Sequence, residues 1–218
     1  MTPDQNEIRA RALQLVERLA AAYPDSKCSL DFTSPFQLLV ATILAAQCTD
    51  ERVNLVTPAL FAQFPTPAAF AEAPLEEIET AIRSTGFYRN KARHIQGACR
   101  MILANFGDEV PRTMAELLRL PGVARKTANV VLGTGFDLVE GVVVDTHVGR
   151  ISRRLGLTVS EDPVRIEQDL MALLPRSEWR DYNHRLIDHG RAVCKAPRPR
   201  CAICVLADIC PSADPNNL

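Results

Sequence analysis

Four cysteines crowd the end of the chain as Cys194-x6-Cys201-x2-Cys204-x5-Cys210, followed by Pro211. Four thiols within seventeen residues can converge on one centre. A reducing compartment disfavours disulfides and favours a metal there. Zinc usually takes two C-x2-C knuckles, and here only Cys201 and Cys204 form one. The wider gaps suit the separated corners of a [4Fe–4S] cluster, whose ligands are cysteine thiolates. The loop Lys195-Ala196-Pro197-Arg198-Pro199-Arg200 between the first two cysteines carries three cations and two stiffening prolines. Stapled at both ends, it is suited to touch phosphates. A redox role is the rival, but nothing in the sequence supplies a second cofactor for an electron relay. Cys28, Cys48 and Cys99 lie apart in apolar stretches and read as small buried hydrophobes.

The 218 residues are 47% hydrophobic and 23% charged, enough for one large or two small cored domains and against a disordered chain. Met1 to Ala10 is polar and lacks the apolar core of a signal peptide. The best apolar run, Leu38 to Ala46, is far too short to span a membrane. A soluble, cytoplasmic monomer is expected. The net charge of −1 does not advertise nucleic acid, but the distribution is uneven. Thr80 to Gly107 holds Arg83, Arg89, Lys91, Arg93 and Arg100 with no acid. Arg185 to Arg200 holds five cations against Asp188. On charge alone these are solvated helix faces.

The periodicity is helical almost throughout. Ile8, Ala12, Leu15, Val16 and Leu19 share one face. Ser34-Pro35 predicts a helix start, and the apolar run after it predicts a buried central helix. Asp50 predicts the cap of the next helix, which Pro58 should kink or break. Further helices are expected from Pro74 to near Gly86, over 89–106, 161–174 and 179–194. Thr113-Met114-Ala115-Glu116 is a capping box. Val142 to Val144 is too short to found a sheet, and the tail after Pro211 should fray. The fold class is all-α.

Leu120-Pro121-Gly122-Val123-Ala124-Arg125-Lys126-Thr127-Ala128 joins two helices through a tight turn. Such a hairpin aims backbone N–H groups at an anion without reading sequence, and serves equally well as a packing corner. Downstream, Asp145 in Val144-Asp145-Thr146-His147 occupies an N-cap position, worth about 1 kcal/mol. By residue type alone, Lys126 reads as a helix-face lysine, Gln47 as a polar helix end and Phe87 as a core aromatic. His147 reads as a structural histidine.

Together, LPGVARKTANVV (120–131), VDTHVGR (144–150), AAQCTD (45–50), GFYRNKA (86–92) and the cysteine tail resemble the endonuclease III family. That family is the iron–sulfur branch of the helix–hairpin–helix DNA glycosylases. The motifs occur in order over roughly Leu30 to Cys210. The resemblance implies a six-helix barrel over 28–138, with its helix–hairpin–helix at about 113–136. Residues 1–27 and 139–218 would form the cluster domain, with double-stranded DNA bound across the cleft. It implies Lys126 as nucleophile and Asp145 as catalytic carboxylate. Gln47 and Phe87 would wedge into the duplex, although Tyr88 is adjacent and only one aromatic need face DNA. Gly122, Val123, Ala124, Arg125 and Thr127 of the hairpin, with Lys195, Arg198 and Arg200, would hold the backbone. Cys194, Cys201, Cys204 and Cys210 would hold the [4Fe–4S] cluster.

The implied activity is excision of oxidised pyrimidines from flipped nucleotides, then strand cleavage by β-elimination through a lysine Schiff base. The amine must be neutral to attack, which burial or nearby cations such as Arg125 would favour. Two departures stand out: Ala124 where the family hairpin has glycine, and Thr85 where a larger apolar residue is expected. Two rivals remain. A monofunctional mismatch glycosylase of the same superfamily would lack the nucleophilic lysine. A non-catalytic iron–sulfur DNA-damage-binding protein would not need the Lys126/Asp145 pair.

Overall fold

The computed structural model describes residues 4–214, and among them no strand forms. The helices are α1 (Gln5–Ala22), α2 (Pro35–Leu44), α3 (Asp50–Gln63), α4 (Pro67–Glu72), α5 (Leu75–Ala81), α6 (Tyr88–Phe106), α7 (Met114–Leu117), α8 (Arg125–Val130), α9 (Thr146–Arg154), α10 (Pro163–Leu173) and α11 (Trp179–Ala192). A 3-10 turn over Arg83–Thr85 precedes α6, and a π-helical turn over Val131–Gly135 extends α8. The sequence readings for Met1 to Ala10 and for the tail after Pro211 lie partly outside the described residues. No helix among the described residues is long and apolar enough to cross a membrane.

The chain divides into two compact units, each with its own core. Cys28–Glu140 forms the middle unit; the described residues up to Lys27 and from Gly141 form the terminal unit. In the middle unit, Ser34 caps α2 by accepting from the Gln37 amide, and Pro35 presets its first turn. Apolar nearly all round, α2 buries Leu38, Leu39, Val40, Ala41, Ile43 and Leu44. Full burial of each large side chain contributes about 1.5–3 kcal/mol. The long helix α6 turns Ala92, Ile95, Ala98, Cys99 and Ile102 inward at helical spacing, and α4 and α5 pack on it. The sequence reading passed over α4, whose signal was Thr66 capping Ala69 ahead of Pro67. Thr49, not Asp50, caps α3, because its hydroxyl reaches the Arg52 amide. That helix runs unbroken through the exposed Pro58.

In the terminal unit, α1 packs Ala12, Leu15, Val16 and Leu19 into a core shared with α10 and α11. Helix α11 closes on α9 at Gly190, where a Cβ would stand 2.4 Å from His147 Nδ1. His147 lies against this close approach, with its Nδ1 3.4 Å from the Arg150 guanidinium. The Val142–Val144 run makes no ladder; Asn183 donates to the Val143 carbonyl at 3.2 Å instead.

Candidate functional site

The hairpin between α7 and α8 is shaped by its glycine. Thr113 caps α7 by accepting from the Glu116 amide at 3.3 Å, and its hydroxyl donates to the Glu116 carboxylate at 2.7 Å. Leu117, Leu120 and Val123 anchor the turn in the core, and the Val123 amide donates to the Leu120 carbonyl. Gly122 adopts φ +77°, and a Cβ there would lie 2.7 Å from His94 Cβ on α6. Both the backbone conformation and the close approach exclude larger residues. One turn further along α6, a Cβ on Gly97 would meet the Pro121 ring at 3.2 Å, so the hairpin rests directly on this helix. Ala124, by contrast, sits at φ −95° and ψ 172°, ordinary extended backbone. Alanine is unstrained there, and it carries no side-chain acceptor for the first amides of α8.

Lys126 is exposed in the first turn of α8, so the burial considered from the sequence does not surround its amine. Arg125 and Thr127 beside it are half-buried. Asp145 belongs to the terminal unit. Its Oδ1 accepts from the Val148 amide at 2.8 Å, making it the N-cap of α9 and leaving it half-buried.

Gln47 and Phe87 share an unusual property: each is exposed and each holds a left-handed backbone, at φ 53° and 46°. Asp108 and Asp137 also do so, but short polar residues tolerate that region, whereas a phenylalanine or glutamine there is strained. Phe87 is 66% exposed at the start of α6. Tyr88 packs against the core, with the Arg83 and Arg89 guanidinium groups over its ring at 5.9 and 5.7 Å. Phe87 is therefore the aromatic that faces outward. Thr85 is buried, and its hydroxyl donates to the Ile82 carbonyl at 2.8 Å. A polar residue fits here because its hydrogen bond is made within its own turn. Lys91 leaves the basic face expected from the sequence: it is buried and donates to the Leu44 and Thr85 carbonyls.

The four tail cysteines line one cavity with Arg154, its protein-free space about 320 Å³ including its open mouth. Among the described residues no three His, Cys, Asp or Glu side chains are grouped to hold a metal ion. The ligating side chains that line the cavity are these four thiols, a donor set suited to a thiophilic metal centre. Two arginines missed by sequence reasoning hold this loop from α9. Arg150 donates to the Cys194 carbonyl at 2.9 Å; Arg154 donates to Cys194 Sγ at 3.3 Å and to the Lys195 and Ala196 carbonyls. Their i,i+4 spacing, which puts both on one helix face, was the available signal. Burial, then the neighbouring sulfurs, push the Cys204 and Cys210 thiols above their ordinary values. Lys195, Arg198 and Arg200 stand exposed on the loop, whereas Arg185 is engaged with Glu178 and Asp181.

The family described as the HhH-GPD superfamily of base excision DNA repair proteins matches residues 40–176. An endonuclease III from Synechocystis is 58% identical, over 94% of each chain. Two solved structures share 45% identity and a TM-score of 0.89, covering 94% of this chain and 96% of theirs. One is a non-covalent endonuclease III–DNA complex, the other a trapped endonuclease III–DNA covalent intermediate.

Proposed function

The chain belongs to the HhH-GPD superfamily of base excision DNA repair proteins, and we propose that it is a bifunctional DNA glycosylase and abasic-site lyase acting on oxidised pyrimidines in double-stranded DNA. The observation that carries this is Lys126. A primary amine stands exposed just after a glycine-built hairpin, in a chain 45% identical to an enzyme captured covalently on DNA.

A base inside the stack is out of reach, so the nucleotide is flipped out while Gln47 and Phe87 enter the duplex. Their exposure and strained backbones suit insertion, since the surrounding turns fix both in place before DNA arrives. The Lys126 amine attacks C1′ and the glycosidic bond breaks, releasing the base. The sugar opens to an imine, an electron sink that allows loss of the C2′ proton and expulsion of the 3′ phosphate. Asp145 takes a proton from the amine and stabilises the positive sugar. The hydrogen bond it accepts from the Val148 amide holds its orientation. The hairpin over Gly122–Ala124 with Arg125 and Thr127, and the loop cations Lys195, Arg198 and Arg200, hold backbone phosphates.

Cys194, Cys201, Cys204 and Cys210 hold a [4Fe–4S] cluster that keeps the Lys195–Arg200 loop in shape. Arg150 and Arg154 couple that loop to α9, the helix that Asp145 caps. A duplex carrying a single thymine glycol tests the reading. Strands ending in a 3′ unsaturated aldehyde are expected. An intact abasic strand as the final product would instead favour the monofunctional reading, and no excision would favour a sensor.

A further inference from the structure

Lys91 stands apart from the neighbouring cations Arg83, Arg89, Arg93 and Arg100, which are exposed, by being only 4% exposed. Its ammonium donates to the Leu44 carbonyl at 2.7 Å and the Thr85 carbonyl at 2.8 Å. Leu44 is the last residue of α2, where carbonyls lack helical partners and the helix dipole is negative. Thr85 ends the 3-10 turn before α6. Three residues beyond Leu44 is Gln47, and two beyond Thr85 is Phe87, each in its left-handed conformation. One side chain thus ties the roots of both strained loops to the helix that also seats the hairpin.

The attachment is expensive. An ammonium held by neutral carbonyls gives up its hydration without a carboxylate in return, and burial lowers its pKa from the ordinary lysine value. A methionine would fill similar space without that cost. The charge therefore contributes geometry rather than stability. Two short hydrogen bonds of fixed direction hold the loops at one separation, which apolar packing would leave free to slide.

We propose that Lys91 is a positioning residue: without touching DNA, it sets the Gln47 and Phe87 loops so that both side chains enter the duplex together and extrude the base. This rests on the reading of Gln47 and Phe87 as duplex-inserting residues. The test uses cluster-loaded protein carrying Lys91→Met, Lys91→Arg, Gln47→Ala or Phe87→Ala. Two duplexes are compared, one with thymine glycol opposite 2-aminopurine and one with a preformed abasic site, where no damaged base has to be unstacked. Lys91→Met is expected to slow single-turnover excision at least ~10-fold, because unstacking a base takes a few kcal/mol of insertion energy. The rise in 2-aminopurine fluorescence should disappear with it. Borohydride trapping on the abasic duplex should stay within about threefold of wild type. The melting temperature should hold or rise, and Lys91→Arg should recover most of the excision. Undiminished excision and fluorescence in Lys91→Met would overturn the proposal. So would a parallel fall in excision, trapping and melting temperature, the pattern of a merely structural lysine. Wild-type excision in Gln47→Ala and Phe87→Ala would remove the underlying reading of those two residues, whatever Lys91→Met does.

Discussion

Gly122→Ala offers a quantitative test of how the hairpin is built. The added Cβ meets two separate penalties. At φ +77° an L-residue costs about 1–2 kcal/mol. The same Cβ lies 2.7 Å from His94 Cβ and 3.0 Å from His94 Cγ. His94 Cβ is fixed to the α6 backbone and cannot rotate away, so relief requires a shift of helix or hairpin, at about 1–3 kcal/mol. Stiffening of the unfolded chain returns about 0.4–1 kcal/mol. The net expectation is a loss of about 2–4 kcal/mol. Ala124→Gly, two residues away in extended backbone, should cost only about 0.5–1 kcal/mol of chain entropy. Urea unfolding followed by far-UV circular dichroism measures both. A cycle with His94→Gly separates the penalties, since it removes the clash but not the dihedral strain. The expected coupling is about 1–3 kcal/mol. A Gly122→Ala loss no larger than that of Ala124→Gly, or a cycle without coupling, would refute the reasoning.

Asp145→Asn keeps a good N-cap for α9, so stability should change by less than about 0.5 kcal/mol while excision falls by about 10²–10⁴. Urea unfolding beside single-turnover kinetics separates the two roles; equal losses in both would leave Asp145 a cap alone. Cys201→Ser should lose bound iron and the broad absorbance near roughly 400 nm, read by iron analysis and visible spectroscopy. Zinc in the colourless wild-type protein would contradict the cluster. Arg198→Ala should weaken duplex binding regardless of sequence and lower the slope of log K against log salt by about 0.9, measured by fluorescence anisotropy.

Much of the fold was legible in local chemistry. The caps at Ser34 and Thr113, and the apolar stripe of α1, appear where the residue pattern places them. Asp50 misled because Thr49 beside it is an equally good cap, and hydroxyl geometry chose between them. Pro58 does not break α3, because an exposed proline can be carried within a packed helix. Phe87 and Tyr88 were indistinguishable as residue types. The left-handed turn at Phe87 sends one ring outward and the other into the core, and no pattern in the sequence announces that turn. Lys91 was misplaced on the basic face because charge counting takes no account of two main-chain carbonyls gathered from distant parts of the chain. The pairing of Arg150 and Arg154 with the cysteine loop is likewise a tertiary contact, visible in the sequence only as a shared helix face.

Borohydride trapping on a duplex with a single abasic site, wild type beside Lys126→Gln, tests the central claim most directly. Reduction of the imine should leave a covalent protein–DNA adduct with wild type and none with Lys126→Gln, which should still bind the duplex because its hairpin is untouched. An adduct of equal yield from Lys126→Gln would remove Lys126 as the nucleophile. No adduct from cluster-loaded wild-type protein that binds the same duplex would contradict the lyase itself.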